Sequence, residues 1–244
     1  MIQAVTFDVT HTLIHAPHLG DLYSEVLRKH RVEIDPPAAE RLVSQVWQEL
    51  ACSADPGRDR FANHPEGERG WWRRFLERMC EHLEAPIPSR FAAAELFHRF
   101  GTAEAWEVYP EVPGVLAELA GQGLRLGVVS NWDHRLPGVL EELGIAHFFG
   151  AITYSQKAGV EKPDPRIFLQ ALAALEVEPA AALHVGDGKL EDGEGAVAAG
   201  MSSLLLARQG TGVDLRDLSS LPARLASGRA GWTGRRPPDP VLDF

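Results

Sequence analysis

The sequence predicts an α/β protein, a doubly wound parallel sheet with an all-helical insertion after its first strand. Three observations carry this. Short apolar runs recur and end in turn residues, as strands buried on both faces do. Helical patterns separate those runs in the second half of the chain, which calls for right-handed crossovers between parallel strands. From about Asp21 to Phe100 the alternation stops, and no strand-like run is found.

The first strand is Ile2–Val9, with Thr10 and His11 after it. It reads as a strand and not a secretion signal, because no basic segment precedes it. Four amphipathic helices follow, near Asp21–His30, Ala38–Ala51, Glu68–His82 and Ser89–Phe100. Leu22, Val26 and Leu27 recur at helical spacing, as do Leu42, Val46 and Leu50. Ser53–Pro65 is polar, contains Pro and Gly, and reads as a loop. Trp47, Trp71, Trp72 and Phe75 are expected to pack inside this helical unit rather than form a binding cage.

The strand–helix alternation then begins. Helix Val112–Ala120 precedes strand Leu124–Ser130, with the Gly121–Gly123 turn between them. Helix Leu136–Leu143, short strand Ala151–Tyr154 and helix Pro165–Leu175 come next. Strand Ala182–Gly186, helix Glu191–Ala199 and short strand Ser203–Ala207 complete the series. The tail after Ser227 has Gly, Pro and Arg without period and reads as an irregular extension. The expected division is a core of residues 1–14 and 106–227, a helical cap of 15–105 and an extension of 228–244.

Composition narrows the function. The 244 residues are 45% hydrophobic and 24% charged, which suits a folded core and excludes a disordered or fibrous chain. A net charge of −10 argues against a partner that is nucleic acid, whose phosphates demand basic surface. A small anion remains open, since one local site can serve it. No run approaches the ~20 apolar residues of a membrane span. Cys52 and Cys80 lack metal-type spacing, and reduced thiols in the cytoplasm are expected. Only four lysines occur, Lys29, Lys157, Lys162 and Lys189.

In open α/β sheets, ligands bind beyond the carboxyl ends of the strands. Asp8, Thr10 and Thr12 come at and after the end of the first strand, Ser130 ends the LRLGVVS run and Asn131 follows it. Lys162 lies after the Tyr154 segment, and Asp187, Glu191 and Asp192 follow ALHVG. Asp8 and Asp187, at separate strand ends, can share a Mg²⁺ with a phosphate oxygen. A metal beside a carboxylate lets it approach an anionic phosphate as a nucleophile. Lys162 would offset charge on nucleophile and transferring group. Ser130 and Asn131 would donate hydrogen bonds to phosphate oxygens.

These residues fall in four segments: FDVTHTL, VVSN, GVEKPDPRIF and HVGDGKLEDGEGAVAAGM. In that order, each after a strand, they resemble the haloacid dehalogenase superfamily of hydrolases, in the subclass with a helical cap inserted after motif one. The resemblance covers nearly the whole chain except the tail. It implies a Rossmann-like core with a mobile cap, and Asp8 as a nucleophile that forms an aspartyl-phosphate. It also implies Mg²⁺ bound by Asp8, the Thr10 carbonyl and Asp187, with Asp192 supporting the metal or orienting Lys162. Thr12 and Ser130 would contact phosphate. The implied substrate is a small phosphorylated metabolite.

Thr10 departs from the family's phosphatases, which usually carry aspartate there as the proton shuttle. A threonine hydroxyl titrates far too high for that work near neutral pH, and losing such help costs roughly 10²–10⁴ in rate. Slow turnover of poor leaving groups is the expectation. Two other readings stay open: a non-catalytic homologue that binds a phosphometabolite or a partner, and a 2-haloacid dehalogenase. His11 is weighed as a substitute acid–base against a surface or cap-contacting role. Asp133 and His134 are expected in a solvated loop, and Asp164 with Arg166 in a structural ion pair.

Overall fold

The computed structural model describes residues 1–52, 58–86, 90–208 and 213–227. The expected extension 228–244 and the first part of the Ser53–Pro65 loop lie outside these. β1 (Ala4–Phe7) is buried at every residue, so it takes the middle of a sheet rather than an edge. A two-residue strand, β2 (Ile14–His15), leads into four helices: α1 (Leu19–Lys29), α2 (Pro36–Cys52), α3 (Gly67–His82) and α4 (Arg90–Arg99). β3 (Glu107–Val108) then pairs antiparallel with β2, so the two chain crossings into and out of the helices are stitched together.

The rest alternates. α5 (Val112–Gly121), β4 (Arg125–Ser130), α6 (Leu136–Glu142), β5 (Ala151–Tyr154), the single turn α7 (Ser155–Ala158) and α8 (Pro165–Leu175) come first. β6 (Ala182–Gly186), a wide turn over Lys189–Glu194, α9 (Gly195–Ala198), β7 (Ser202–Leu205) and α10 (Leu221–Ala226) follow. Strand order is β5-β4-β1-β6-β7, and every neighbouring pair is parallel. The chain leaves β1 toward β4 on one side and returns to β6 on the other. The switch point therefore falls at the carboxyl end of β1.

Strand alternation divides the core. Val5, Phe7, Leu183 and Val185 face one apolar layer with Leu116, Leu119 and Leu136. Ala4 and Ala182 face the other with Ile167, Phe168 and Ala196. The four inserted helices have their own apolar cluster of Val26, Leu27, Val46, Phe75 and Met79. Trp47, Trp71, Trp72 and Phe75 pack together there, with ring centroids 4.9–6.4 Å apart. Among the described residues no helix is long and apolar enough to cross a membrane.

Two expectations need correction. Glu191–Ala199 is not one α-helix: the N–H groups of Asp192 and Gly193 both reach back to the Gly188 carbonyl, at 2.9 and 3.0 Å, which widens the turn. Gly188, Gly193 and Gly195 weaken helix formation there. Asp133 is not in solvated loop: it is 1% exposed, and its carboxylate accepts from the Trp72 indole at 2.9 Å and from Arg135 at 2.6 and 2.8 Å. Trp72 comes from the inserted helices, so tertiary packing rather than local polarity decides the burial of Asp133.

Candidate active site

Asp8 stands where β1 ends, its N–H still donating to the Val185 carbonyl at 2.9 Å. Ser130, the last residue of β4, donates its hydroxyl to Asp8 Oδ1 at 2.8 Å. Lys162 Nζ donates to the same oxygen at 2.6 Å and also to Asp192 Oδ1. These hydrogen bonds to the Asp8 carboxylate all fall on Oδ1. Lys162 is itself 4% exposed. Burial penalises its charge, but Asp192 and Asp8 overcome this and hold its ammonium well above the usual lysine range.

Lys162 is placed from both ends. Its backbone N–H donates to Asn131 Oδ1 at 2.7 Å, and the Asn131 amide donates to its carbonyl at 3.1 Å. Asp164 begins α8 just beyond it, accepting the Arg166 N–H at 2.9 Å ahead of a helix that starts with Pro165. Asp164 and Arg166 also pair side chain to side chain at 2.7 Å.

Asp192 folds back against β6. A side chain at Gly186 would place its Cβ 2.2 Å from the Asp192 carboxyl carbon, so only glycine permits this approach. Asp192 Oδ2 accepts the Gly188 N–H at 2.8 Å, and Oδ1 faces His184 Nε2 at 3.0 Å. Burial would raise the Asp192 carboxyl, yet Lys162 and His184 hold it below the usual carboxylate range. Burial lowers the His184 imidazole and favours its neutral form. Asp187 is the open member of the group. Lost hydration and the charges of Asp8 and Asp192 push its carboxyl up to about 7.

The carboxylate oxygens of Asp8, Asp187 and Asp192 lie within 4.8 Å of one another. Three carboxyl groups face the single Lys162 ammonium, so acidic groups outnumber the basic one. Oxygen donors with that excess suit one hard divalent cation. The Thr12 hydroxyl is fully buried and has no hydrogen-bond partner among the described residues. Thr10 Oγ1 accepts the Trp132 indole N–H at 3.1 Å.

Other singled-out residues lie elsewhere. His11 occupies the left-handed turn after Asp8, with φ +62°, and burial lowers its imidazole. His15 stacks on Tyr109 at 4.4 Å, and His18 pairs with Asp21 at 3.5 Å. Lys29 pairs with Glu25 and Glu95 on the exposed helical surface, and Lys157 is exposed. Glu191 lies on the wide turn, half-buried, outside the carboxylate group. Three contributors escaped sequence reasoning. Trp132 gave no signal beyond following Ser130. His184 sits inside the strand run Ala182–Gly186, where the run itself hides it. Arg60, whose guanidinium grips Glu161 at 2.8 and 3.1 Å, ties the helical insertion to the residue before Lys162.

Fold and site define an α/β protein with a lysine-braced carboxylate centre at the switch point of its sheet. The comparisons give the family: a model of haloacid dehalogenase-like hydrolases matches residues 2–200, and the chain belongs to that family of hydrolases. It is 35% identical over 215 residues to the human haloacid dehalogenase-like hydrolase domain-containing protein 3, covering 84% of this chain and 82% of that one. It is 30% identical over 217 residues to a protein of Methanopyrus kandleri named glyceraldehyde 3-phosphate phosphatase, covering 85% of each. The fold matches the magnesium-bound HAD-hydrolase YfnB of Bacillus subtilis with a TM-score of 0.75 at 16% identity, over 92% of this chain and 99% of that one.

Proposed function

We propose that the protein is a cytoplasmic, Mg²⁺-dependent phosphatase for a small phosphorylated metabolite, working through an aspartyl-phosphate at Asp8. The observation that carries this is the one-sided bracing of Asp8. Ser130 and Lys162 both engage Oδ1, leaving Oδ2 as the oxygen to attack phosphorus. The phosphatase name of the Methanopyrus kandleri relative supports the reaction class.

In the first step the Asp8 Oδ2–phosphorus bond forms in line with departure of the substrate oxygen. Lys162 offsets charge on Asp8 and on the transferring group. The Ser130 and Thr12 hydroxyls position phosphate oxygens. The departing oxygen takes its proton from solvent, since Thr10 is no acid at neutral pH. Water then attacks the phosphorus, breaking the bond to Asp8 and releasing phosphate. Bound by Asp8, Asp187 and the Thr10 carbonyl, with Asp192 in support, Mg²⁺ would reduce the repulsion between these carboxylates and the phosphate.

The test is Mg²⁺-dependent trapping of a phosphate-mimicking fluoride, together with turnover of a phosphometabolite panel. Both should be lost in Asp8→Asn. Binding of the panel without any turnover would favour a binding protein. Release of halide from 2-haloacids that survives a chelator would favour a dehalogenase. Against the latter, Asp187 without a metal would repel the Asp8 nucleophile.

A further inference from the structure

On the sheet face beneath α8 and α9, Thr6 on β1 stands beside His184 on β6, both fully buried, and Ser203 on β7 is the next buried polar residue in register. Polar groups persist in such a layer when their hydrogen bonds are made. Thr6 Oγ1 lies 2.8 Å from His184 Nδ1, and His184 Nε2 lies 3.0 Å from Asp192 Oδ1. An ionised Asp192 offers no proton, so Nε2 carries the ring hydrogen, Nδ1 accepts, and the Thr6 hydroxyl donates. Phe168 meets the imidazole edge-on at 5.0 Å and holds its plane.

Asp192 is thereby fixed by three donors. His184 and Lys162 share Oδ1, and the Gly188 N–H takes Oδ2. Lys162 in turn divides its ammonium between Asp192 and Asp8. The sequence Thr6–His184–Asp192–Lys162–Asp8 forms an unbroken chain from the interior of the sheet to the cleft.

We propose that His184 is a positioning residue for the reaction at Asp8: its Nε2–H, set by Thr6, anchors the Asp192 carboxylate, and Asp192 anchors the Lys162 ammonium on Asp8 Oδ1. This rests on the reading of Asp8 as the nucleophile. Without the anchor, Asp192 is free to turn and Lys162 to shift, so Asp8 loses its one-sided bracing. Substrate binding is untouched, because His184 is 0% exposed and does not line the cleft.

The test compares His184→Met, which fills the space without a donor, with His184→Gln, which keeps an N–H at similar reach. Both are assayed with an aryl phosphate and Mg²⁺ beside thermal unfolding. His184→Met should lower kcat by about 10–100-fold at nearly constant KM, the usual effect of losing such an outer partner. His184→Gln should recover most of the loss although its melting temperature falls similarly. Adding His184→Met to Asp192→Asn should cost less than about threefold more, since the two act in one chain. Imidazole ¹⁵N spectra of the unmodified protein should show His184 protonated at Nε2. A proton on Nδ1, wild-type kcat in both variants, or losses in both that track lost stability would each overturn the inference. Should the unmodified protein turn over no phosphate at all, the phosphatase reading itself fails, and the positioning role with it.

Discussion

The indole N–H of Trp132 donates to the hydroxyl of Thr10 at 3.1 Å, joining the loop after β4 to the loop after β1. Trp132 is held in turn: its carbonyl accepts from the Ser155 hydroxyl and the Gln156 N–H, both at 3.2 Å, and its ring packs on Trp106 at 5.1 Å. With one lone pair of the Thr10 oxygen engaged, its proton points away from the indole. Thr10 is an oriented hydroxyl, and its chemistry is that of a hydrogen-bond donor rather than an acid.

Leaving-group dependence follows. Aryl and acyl phosphates should turn over faster than sugar phosphates, because their leaving oxygens need no proton. Thr10→Asp should raise turnover of alkyl phosphates, recovering part of the roughly 10²–10⁴ that general acid–base help supplies. Steady-state rates on both substrate classes decide it. Equal, fast rates on alkyl phosphates in the unmodified protein would sink this account.

His11 should be dispensable as an acid–base. Its left-handed backbone, φ +62°, suits Asn and Gly better than most residues. His11→Asn should keep kcat within about threefold and stability within about 1 kcal/mol. A large fall in kcat with unchanged melting would instead give His11 the proton-transfer role.

Arg60 and Glu161 form an ion pair between the helical insertion and the core, with side chains 9% and 10% exposed. Arg60→Met leaves Glu161 buried and unpaired, at a cost of about 3–5 kcal/mol. Arg60→Met with Glu161→Met should recover most of this, as apolar pairs often replace buried ion pairs without loss. Urea unfolding of the three variants measures it. Because Glu161 precedes Lys162, the single variant should also lower kcat.

Asp133 makes stability depend on pH. Burial would raise its carboxyl, but Arg135, with help from Trp72, holds it below the usual carboxylate range. A depressed folded value stabilises above the unfolded value of about 3.9 and is lost as pH falls through the folded one. Asp133→Asn should therefore cost about 3 kcal/mol at pH 7, and the cost should shrink below about pH 4. A penalty that stays constant from pH 7 to pH 3 would refute the charge argument.

Most strands were legible because burial on both faces leaves an unbroken apolar run, as in Ala182–Gly186. The short pair β2–β3 was not, since two residues carry no periodicity and Ile14 finds Val108 only through the fold. The wide turn at Lys189–Glu194 escaped because its apolar spacing imitates a helix, while its glycines and the inward pull on Asp192 decide otherwise.

The sequence by itself determined the parallel sheet, the helical insertion and the side chains that can meet at the strand ends. Each is a local matter of periodicity, turn residues and position after a strand. Only the tertiary structure decided which oxygen of Asp8 is braced, that Asn131 holds the Lys162 backbone, and that His184 reaches Asp192. It also decided that Trp132 orients Thr10 and that Trp72 seals Asp133. Their partners lie as far as 154 residues away in the chain, so no local pattern encodes them. Their geometry exists once strand register and helix packing have brought the loops to one edge.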